Sequence, residues 1–192
     1  MIRPDTISGR LRLMWLLAPL AVACGTKSGS GDFRAGVLSE APDADGLIAQ
    51  TIDLNADGVA DVTNYFRERS DAPRLLVRKE MDLNWDGKID VRTWFEPDGS
   101  IEKEEMDGDF DGIVDWVDHY QGGRRVTSDI DTNSDGQFDL FKTYEQGRVR
   151  RKERDTNGDQ KIDFWEYLDD AGNVVKTGRD IDGDGVMDVR ED

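Results

Sequence analysis

The chain has 192 residues and a formal net charge of −17 at pH 7, and charged residues make up 35% of it. A charge of this sign excludes nucleic acid and anionic membrane surfaces as electrostatic partners. With only 36% hydrophobic residues, the chain is too polar for one large conventional core. Cys24 is the only cysteine, so a disulfide within the chain is excluded as well.

Residues 1–23 have the pattern of an export signal, because three arginines precede an apolar run that is too short to span a bilayer. The run ends in Leu-Ala-Val-Ala-Cys at residues 20–24, which resembles the lipobox of bacterial lipoproteins. This resemblance implies cleavage before Cys24, a diacylglycerol on the Cys24 sulfur and a place in the bacterial cell envelope. Gly25 rather than Asp after the cysteine resembles the sorting signal of Gram-negative lipoproteins, which implies the outer membrane and leaves the leaflet open. An ordinary secretory signal that ends near a cysteine is the alternative.

Residues 24–46 are predicted to be a flexible linker, since GTKSGSG and EAPDADG are small, polar and acidic. We expect this segment to be disordered. Residues 1–23 carry three Arg and one Asp, so the remainder of the chain carries a net charge of −19.

Residues 47–192 contain six copies of one acidic motif, and the first Asp of each copy is taken as position one. These position-one residues, 24 to 29 residues apart, are Asp53, Asp82, Asp107, Asp131, Asp155 and Asp180. Position three is Asn55, Asn84, Asp109, Asn133, Asn157 and Asp182. Position five is Asp57, Asp86, Asp111, Asp135, Asp159 and Asp184, and position nine is Asp61, Asp90, Asp115, Asp139, Asp163 and Asp188. Such a nearly constant period marks a repeat architecture.

The motif resembles the calcium loop of EF-hands, dockerins and thrombospondin type-3 repeats, which implies up to six Ca²⁺ ions. In such loops positions one, three and five supply side-chain oxygens and position seven a backbone carbonyl. Position six is Gly in every copy except Gln160, and we expect it to make the left-handed turn that closes the loop. Glu166 and Glu191, at position twelve, are candidate additional ligands. For a single copy, a solvated Asp/Asn turn is the alternative.

The segments between the motifs favour β hairpins over the helices of a true EF-hand. Turn residues such as PDG, QGG, EQG and DDAG interrupt the middle of each segment. Positions ten and fourteen are aromatic or aliphatic and share one face at a period of two. YEQGRV and FEPDGSI also resemble the hairpins of bacterial YD or MORN arrays. The prediction is an all-β, elongated array of about five hairpins joined by six calcium loops, with a flat, solenoidal or closed arrangement left open.

The expected function is that of a calcium-stabilised, lipid-anchored structural, scaffold or adhesion-type module. An EF-hand-type helical sensor or buffer is one alternative. A calcium-dependent carbohydrate- or peptide-binding module is another, with Trp94, Trp165 and Trp85 as exposed contacts. Expected partners are calcium ions, the membrane through the lipid anchor only, and an envelope protein or glycan. No enzyme activity is expected, because the single histidine, His119, cannot be combined into a catalytic constellation.

Overall fold

The computed structural model describes residues 36–192, which form 13 antiparallel strands in one open sheet. The predicted signal peptide and Cys24 lie outside the described residues. The strands are β1 (Gly36–Pro42), β2 (Ile48–Asp53), β3 (Val62–Arg67), β4 (Leu75–Met81), β5 (Val91–Phe95), β6 (Ile101–Met106), β7 (Trp116–Gln121), β8 (Arg124–Ile130), β9 (Leu140–Glu145), β10 (Arg148–Arg154), β11 (Phe164–Leu168), β12 (Val174–Arg179) and β13 (Val189–Glu191).

Strand order in the sheet is the order of the chain, so every connection joins neighbouring strands. The acidic motifs join β2 to β3, β4 to β5, β6 to β7, β8 to β9, β10 to β11 and β12 to β13. Because alternate connections of a meander lie at the same end of its strands, all six acidic loops lie along one end of the sheet and the hairpin turns along the other. The predicted plan of loop, strand, turn and strand is therefore confirmed.

The hairpin turns follow from the breakers seen in the sequence. Gly99, Gly123, Gly147 and Gly172 have φ between 71° and 86°, a range that Gly adopts without steric cost. Asp98 accepts hydrogen bonds from the N–H and the hydroxyl of Ser100, and these lower the pKa of its carboxyl. Each turn is thus set by residues within it.

Both faces of the sheet are buried in the rows next to the acidic loops. Val62, Val91 and Leu140 at position ten are less than 10% exposed, as the period-two pattern predicts. On the opposite face, Val117 and Trp165 at position eleven are equally buried. The prediction that Trp165 is exposed was therefore wrong: its indole packs on the sheet and donates to Glu153 Oε1 at 3.1 Å.

The flexible linker was predicted to extend to residue 46, but the structure places β1 within it. The strand β1 pairs with β2, and Ser39 Oγ lies 2.7 Å from Thr51 Oγ1. At the turn between the two strands, Asp43 Oδ1 accepts hydrogen bonds from the N–H groups of Asp45 and Leu47. The polar segment PDADG is therefore a hairpin turn, and its composition does not distinguish such a turn from a linker.

Candidate metal centres

All six acidic loops have the same backbone, in which two residues adopt a left-handed conformation. Position six has φ between 84° and 97° in the five glycines and 67° in Gln160, as predicted. Position four is also left-handed, which the motif did not predict. Its residues are Ala56, Trp85, Phe110, Ser134, Gly158 and Gly183, with φ between 57° and 79°. Four of these are not Gly, so composition gave no signal for this turn.

The position-one aspartate organises the centre of each loop. Its Oδ1 accepts the N–H of position four at 2.5–2.8 Å, and its Oδ2 accepts the N–H of position six at 2.6–2.8 Å. The left-handed turns bring these two N–H groups to the carboxylate, which explains why both are needed. Asp53, Asp82, Asp107 and Asp131 are almost fully buried as a result.

The position-nine aspartate closes the loop from its other end. Its Oδ2 accepts the N–H of position two in all six loops, at 2.5–3.2 Å. Its own N–H donates at 2.9 Å to the carbonyl just before position one. Asp61 and Asp90 are 2% exposed, so this carboxylate is part of the interior of the loop.

The loops are also joined to each other by their backbones. The carbonyl oxygen of each position-nine aspartate, from Asp61 to Asp163, accepts the N–H of position one in the next loop at 2.8–3.0 Å. Side chains add further contacts in the later loops: Ser134 Oγ donates to Asp109 Oδ2, and Gln160 Nε2 donates to Gln137 Oε1 at 2.7 Å. Gln160, which departs from the Gly pattern, thus contacts the preceding loop.

The third and sixth loops bring three carboxylates together. One carboxylate oxygen from each of positions one, three and nine lies within 4.8 Å of the other two in the groups Asp107, Asp109, Asp115 and Asp180, Asp182, Asp188. In the other four loops position three is Asn, whose amide oxygen accepts the N–H of position five. Three carboxylate oxygens at this spacing form a set that suits a hard divalent cation.

Position five, predicted to be a ligand, is not a member of either group. The carboxylates of Asp111 and Asp184 accept the N–H of position seven at 2.7 Å instead. A carboxylate has about four lone-pair sites, so Asp111 and Asp184 can still accept further bonds. Their oxygens do not belong to the groups formed by positions one, three and nine.

Position twelve does not complete an EF-hand shell. Glu166 lies in β11, and its carboxylate lies 3.9 Å from Lys152 Nζ and 3.7 Å from Arg154 Nε. Glu191 lies in β13. No helix occurs in residues 36–192, so the helical EF-hand alternative is contradicted.

Backbone N–H groups lower the pKa of two loop carboxyls, those of Asp131 and Asp180. At Asp180 the N–H of Gly185 is the largest influence, and together with neighbouring N–H groups it lowers the pKa of the carboxyl. At Asp131 burial opposes ionisation, but the N–H groups of Gly136, Asn133 and Ser134 outweigh it and lower the pKa. These acids are therefore charged at neutral pH, as metal ligands must be.

No family model matches the chain, and no curated protein matches it. Among solved structures, the chain is similar to the crystal structure of accessory secretory protein 1,2 and 3 in Streptococcus pneumoniae, with a TM-score of 0.34 and 16% identity. The match covers 66% of this chain and 20% of that chain, so this chain spans a small part of its length. Within residues 36–192, no helix is long and apolar enough to cross a membrane.

Proposed function

We propose that this protein is a non-enzymatic, calcium-binding, lipid-anchored repeat protein of the bacterial cell envelope that serves as a structural, scaffold or adhesion-type module. The observation that carries the calcium part is the convergence of the position-one, position-three and position-nine carboxylates in the third and sixth loops. Oxygen-only ligand sets of this kind suit Ca²⁺ better than the nitrogen- and sulfur-binding metals.

The remaining four loops support the same function with a lower charge. Each keeps two carboxylates and one amide oxygen at positions one, nine and three, all hard oxygen donors. Six bound ions would add +12 to the −19 of residues 24–192 and leave about −7, which removes much of the self-repulsion that opposes a compact sheet.

Calcium bound to the folded state alone stabilises it by mass action. Within residues 36–192 the loops are the covalent connections between one hairpin and the next, and the strands on either side of each loop also pair by backbone hydrogen bonds. Ordering of the loops by calcium should therefore add to the stability of this pairing. Extracellular calcium modules commonly bind at roughly 10⁻⁴ to 10⁻³ M, and we expect these exposed loops to lie in that range.

The calcium proposal is tested by titrating purified residues 24–192 with Ca²⁺ in a calorimeter and recording circular dichroism with and without EDTA. Binding of several ions, with a melting temperature that falls in EDTA, is the expected result. An unchanged melting temperature and no heat of binding would contradict it. A Mg²⁺ titration run in parallel distinguishes a calcium site from a general attraction of divalent cations to acidic loops.

The envelope location is supported by the lipobox-like residues 20–24 alone. Metabolic labelling with a radioactive fatty acid should label the full-length protein, and Cys24→Ser should abolish the label. If the Cys24→Ser protein is still labelled, or the natural protein is not, the anchor is excluded while the calcium proposal stays untouched.

A further inference from the structure

The first three loops expose large apolar side chains to solvent. Leu54, Val59, Leu83, Trp85, Phe110 and Ile113, which we call the apolar loop patch, are each between 41% and 62% exposed. They occupy positions two, four and seven of the repeat, interleaved with the acids. Exposed apolar side chains grouped in this way mark interaction sites more often than isolated ones do.

The loop fold does not require these apolar residues. The fourth and fifth loops have the same backbone, yet the equivalent positions are polar or Gly: Thr132, Ser134, Gln137, Thr156, Gly158 and Lys161. The loop backbone therefore does not require apolar residues at these positions. The sixth loop also exposes Ile181 and Val186 at positions two and seven, but it has Gly183 at position four, where the second and third loops have Trp85 and Phe110.

Trp85 and Phe110 are also unfavourable for the backbone on which they lie. Their φ values are 64° and 67°, a conformation in which a bulky side chain is an outlier. The loop imposes it, because the two N–H groups must donate to Asp82 Oδ1 and Asp107 Oδ1. In the fifth loop Gly158 donates the equivalent hydrogen bond to Asp155 Oδ1 in the same left-handed conformation, and it has no side chain to strain. Trp85 is 62% exposed and Phe110 is 41% exposed, so neither side chain is buried in the core, and contact with another molecule would give both a role.

The charge around the patch indicates the chemistry of that molecule. Positions one to nine of the first three loops contain ten Asp and a single cation, Lys88, and the position-five acids Asp57, Asp86 and Asp111 are exposed. Aliphatic members of the patch favour a protein side chain over the flat face of a sugar. The acids favour a basic partner and disfavour an anionic lipid surface.

We propose that the apolar loop patch docks a basic amphipathic segment of a partner protein, with apolar side chains on the patch and Lys or Arg side chains on its acids. Neighbouring loops are two strands apart, about 10 Å, so three loops present a row about 20 Å long. An extended segment of about six residues, at about 3.3 Å per residue, spans this row. The apolar side chains and the position-five acids lie outside the groups of converging carboxylates, so we expect binding both with and without Ca²⁺.

The probe is a fluorescein-labelled peptide of twelve alternating Leu and Lys residues, titrated by fluorescence anisotropy in 0.15 M salt with and without Ca²⁺. Comparison peptides alternate Ser with Lys, or Leu with Glu. The test variant is Trp85→Ser with Phe110→Ser, which installs the residue of the fourth loop. The control is Ile181→Thr with Val186→Gln, which removes exposed apolar residues from the sixth loop at positions two and seven.

We expect the Leu–Lys peptide to bind at least tenfold more tightly than either comparison peptide. The Trp85/Phe110 variant should weaken it at least tenfold, and the Ile181/Val186 variant less than twofold. Melting temperature should stay unchanged or rise in the Trp85/Phe110 variant, because backbone strain is relieved.

Three outcomes would overturn the proposal. If the Ser–Lys peptide bound as tightly as the Leu–Lys peptide, charge alone would explain the binding and the apolar side chains would have no part in it. A fall in melting temperature in the Trp85/Phe110 variant would give the aromatics a structural role. Binding to anionic phospholipid vesicles, with no binding of the peptide, would assign the patch to a membrane.

Discussion

The third and sixth loops and the fourth and fifth loops share one backbone but compensate their charge in different ways. The third and sixth concentrate three carboxylates within 4.8 Å. In the fourth and fifth, Asn133 and Asn157 replace one acid, and the hydroxyls of Thr132 and Thr156 contact both oxygens of the position-nine carboxylate at 2.7–2.9 Å. The fourth and fifth loops thus supply donors to the position-nine carboxylate from the chain itself, whereas the third and sixth loops have the sites proposed for a cation. If that proposal holds, the two pairs of loops should differ in their dependence on calcium.

The largest effect is expected from exchanging the position-three residue between the two kinds of loop. Asp109→Asn should weaken calcium at the third loop about tenfold, or about 1.4 kcal/mol, and Asn133→Asp should strengthen it at the fourth. A titration followed by ¹⁵N NMR at the amides of Gly112 and Gly136 reports each site separately. Equal calcium affinities at the third and fourth loops, both before and after the exchange, would contradict a difference in calcium dependence between the two kinds of loop.

Removing a threonine hydroxyl should destabilise the fifth loop when calcium is absent. Thr156→Val leaves Asp163 without its hydroxyl donor, so the free energy of unfolding should fall by about 1 kcal/mol in EDTA. Thr156→Ser keeps the hydroxyl and should behave like the natural protein in the same urea titration. A loss of equal size with Thr156→Ser would show that the methyl group, rather than the hydroxyl, matters.

Acid should destabilise the loops through the carboxyls whose pKa is lowered. Asp131 and Asp180 ionise below their ordinary value of 3.8 in the folded protein. Their stabilising contribution is therefore complete above about pH 4 and disappears as the pH falls through the folded pKa. Urea unfolding in EDTA between pH 6 and pH 2.5 should show this loss, and Asp180→Asn should make the acid limb shallower. An unchanged acid limb in the variant would exclude Asp180 as a contributor.

The smallest effect is expected at Gln160. Gln160→Gly relieves a left-handed conformation that costs a side chain about 1 kcal/mol, but it loses the hydrogen bond to Gln137. A net gain in calcium affinity at the fifth loop of less than tenfold should result, and Gln137→Ala measures the lost bond alone. A weaker fifth site in Gln160→Gly would mean that contact with the fourth loop outweighs the backbone strain.

Much of the fold could be predicted because the repeat shows each position several times. The alternation after position nine and the breakers between the motifs specify strands and turns without reference to distant residues. The strand β1 could not be predicted, since it lies outside the repeat and its pairing with β2 depends on contacts that composition does not encode. The burial of Trp165 could not be predicted from a period of two, because that period assigns only one face of a strand to the core. In this sheet both faces are buried in the rows next to the loops.

The residue types of the candidate site could be predicted from the sequence, but which of their carboxylates lie close together could not. The spacing gave positions one, three and nine, and it also gave position five, whose carboxylate accepts the N–H of position seven in the structure. The second left-handed residue, at position four, is Ala, Trp, Phe or Ser in four loops. Its conformation follows from the hydrogen bond to the position-one carboxylate, so the residue type at this position does not predict it.

The backbone bond from the carbonyl of each position-nine aspartate to the N–H that begins the next loop involves no side chain. Any loop can therefore follow any other, and a duplicated repeat joins its neighbours through contacts that already exist. Each such duplication would widen the sheet by two strand spacings, about 10 Å. Evolution can in this way change the length of the protein in fixed steps.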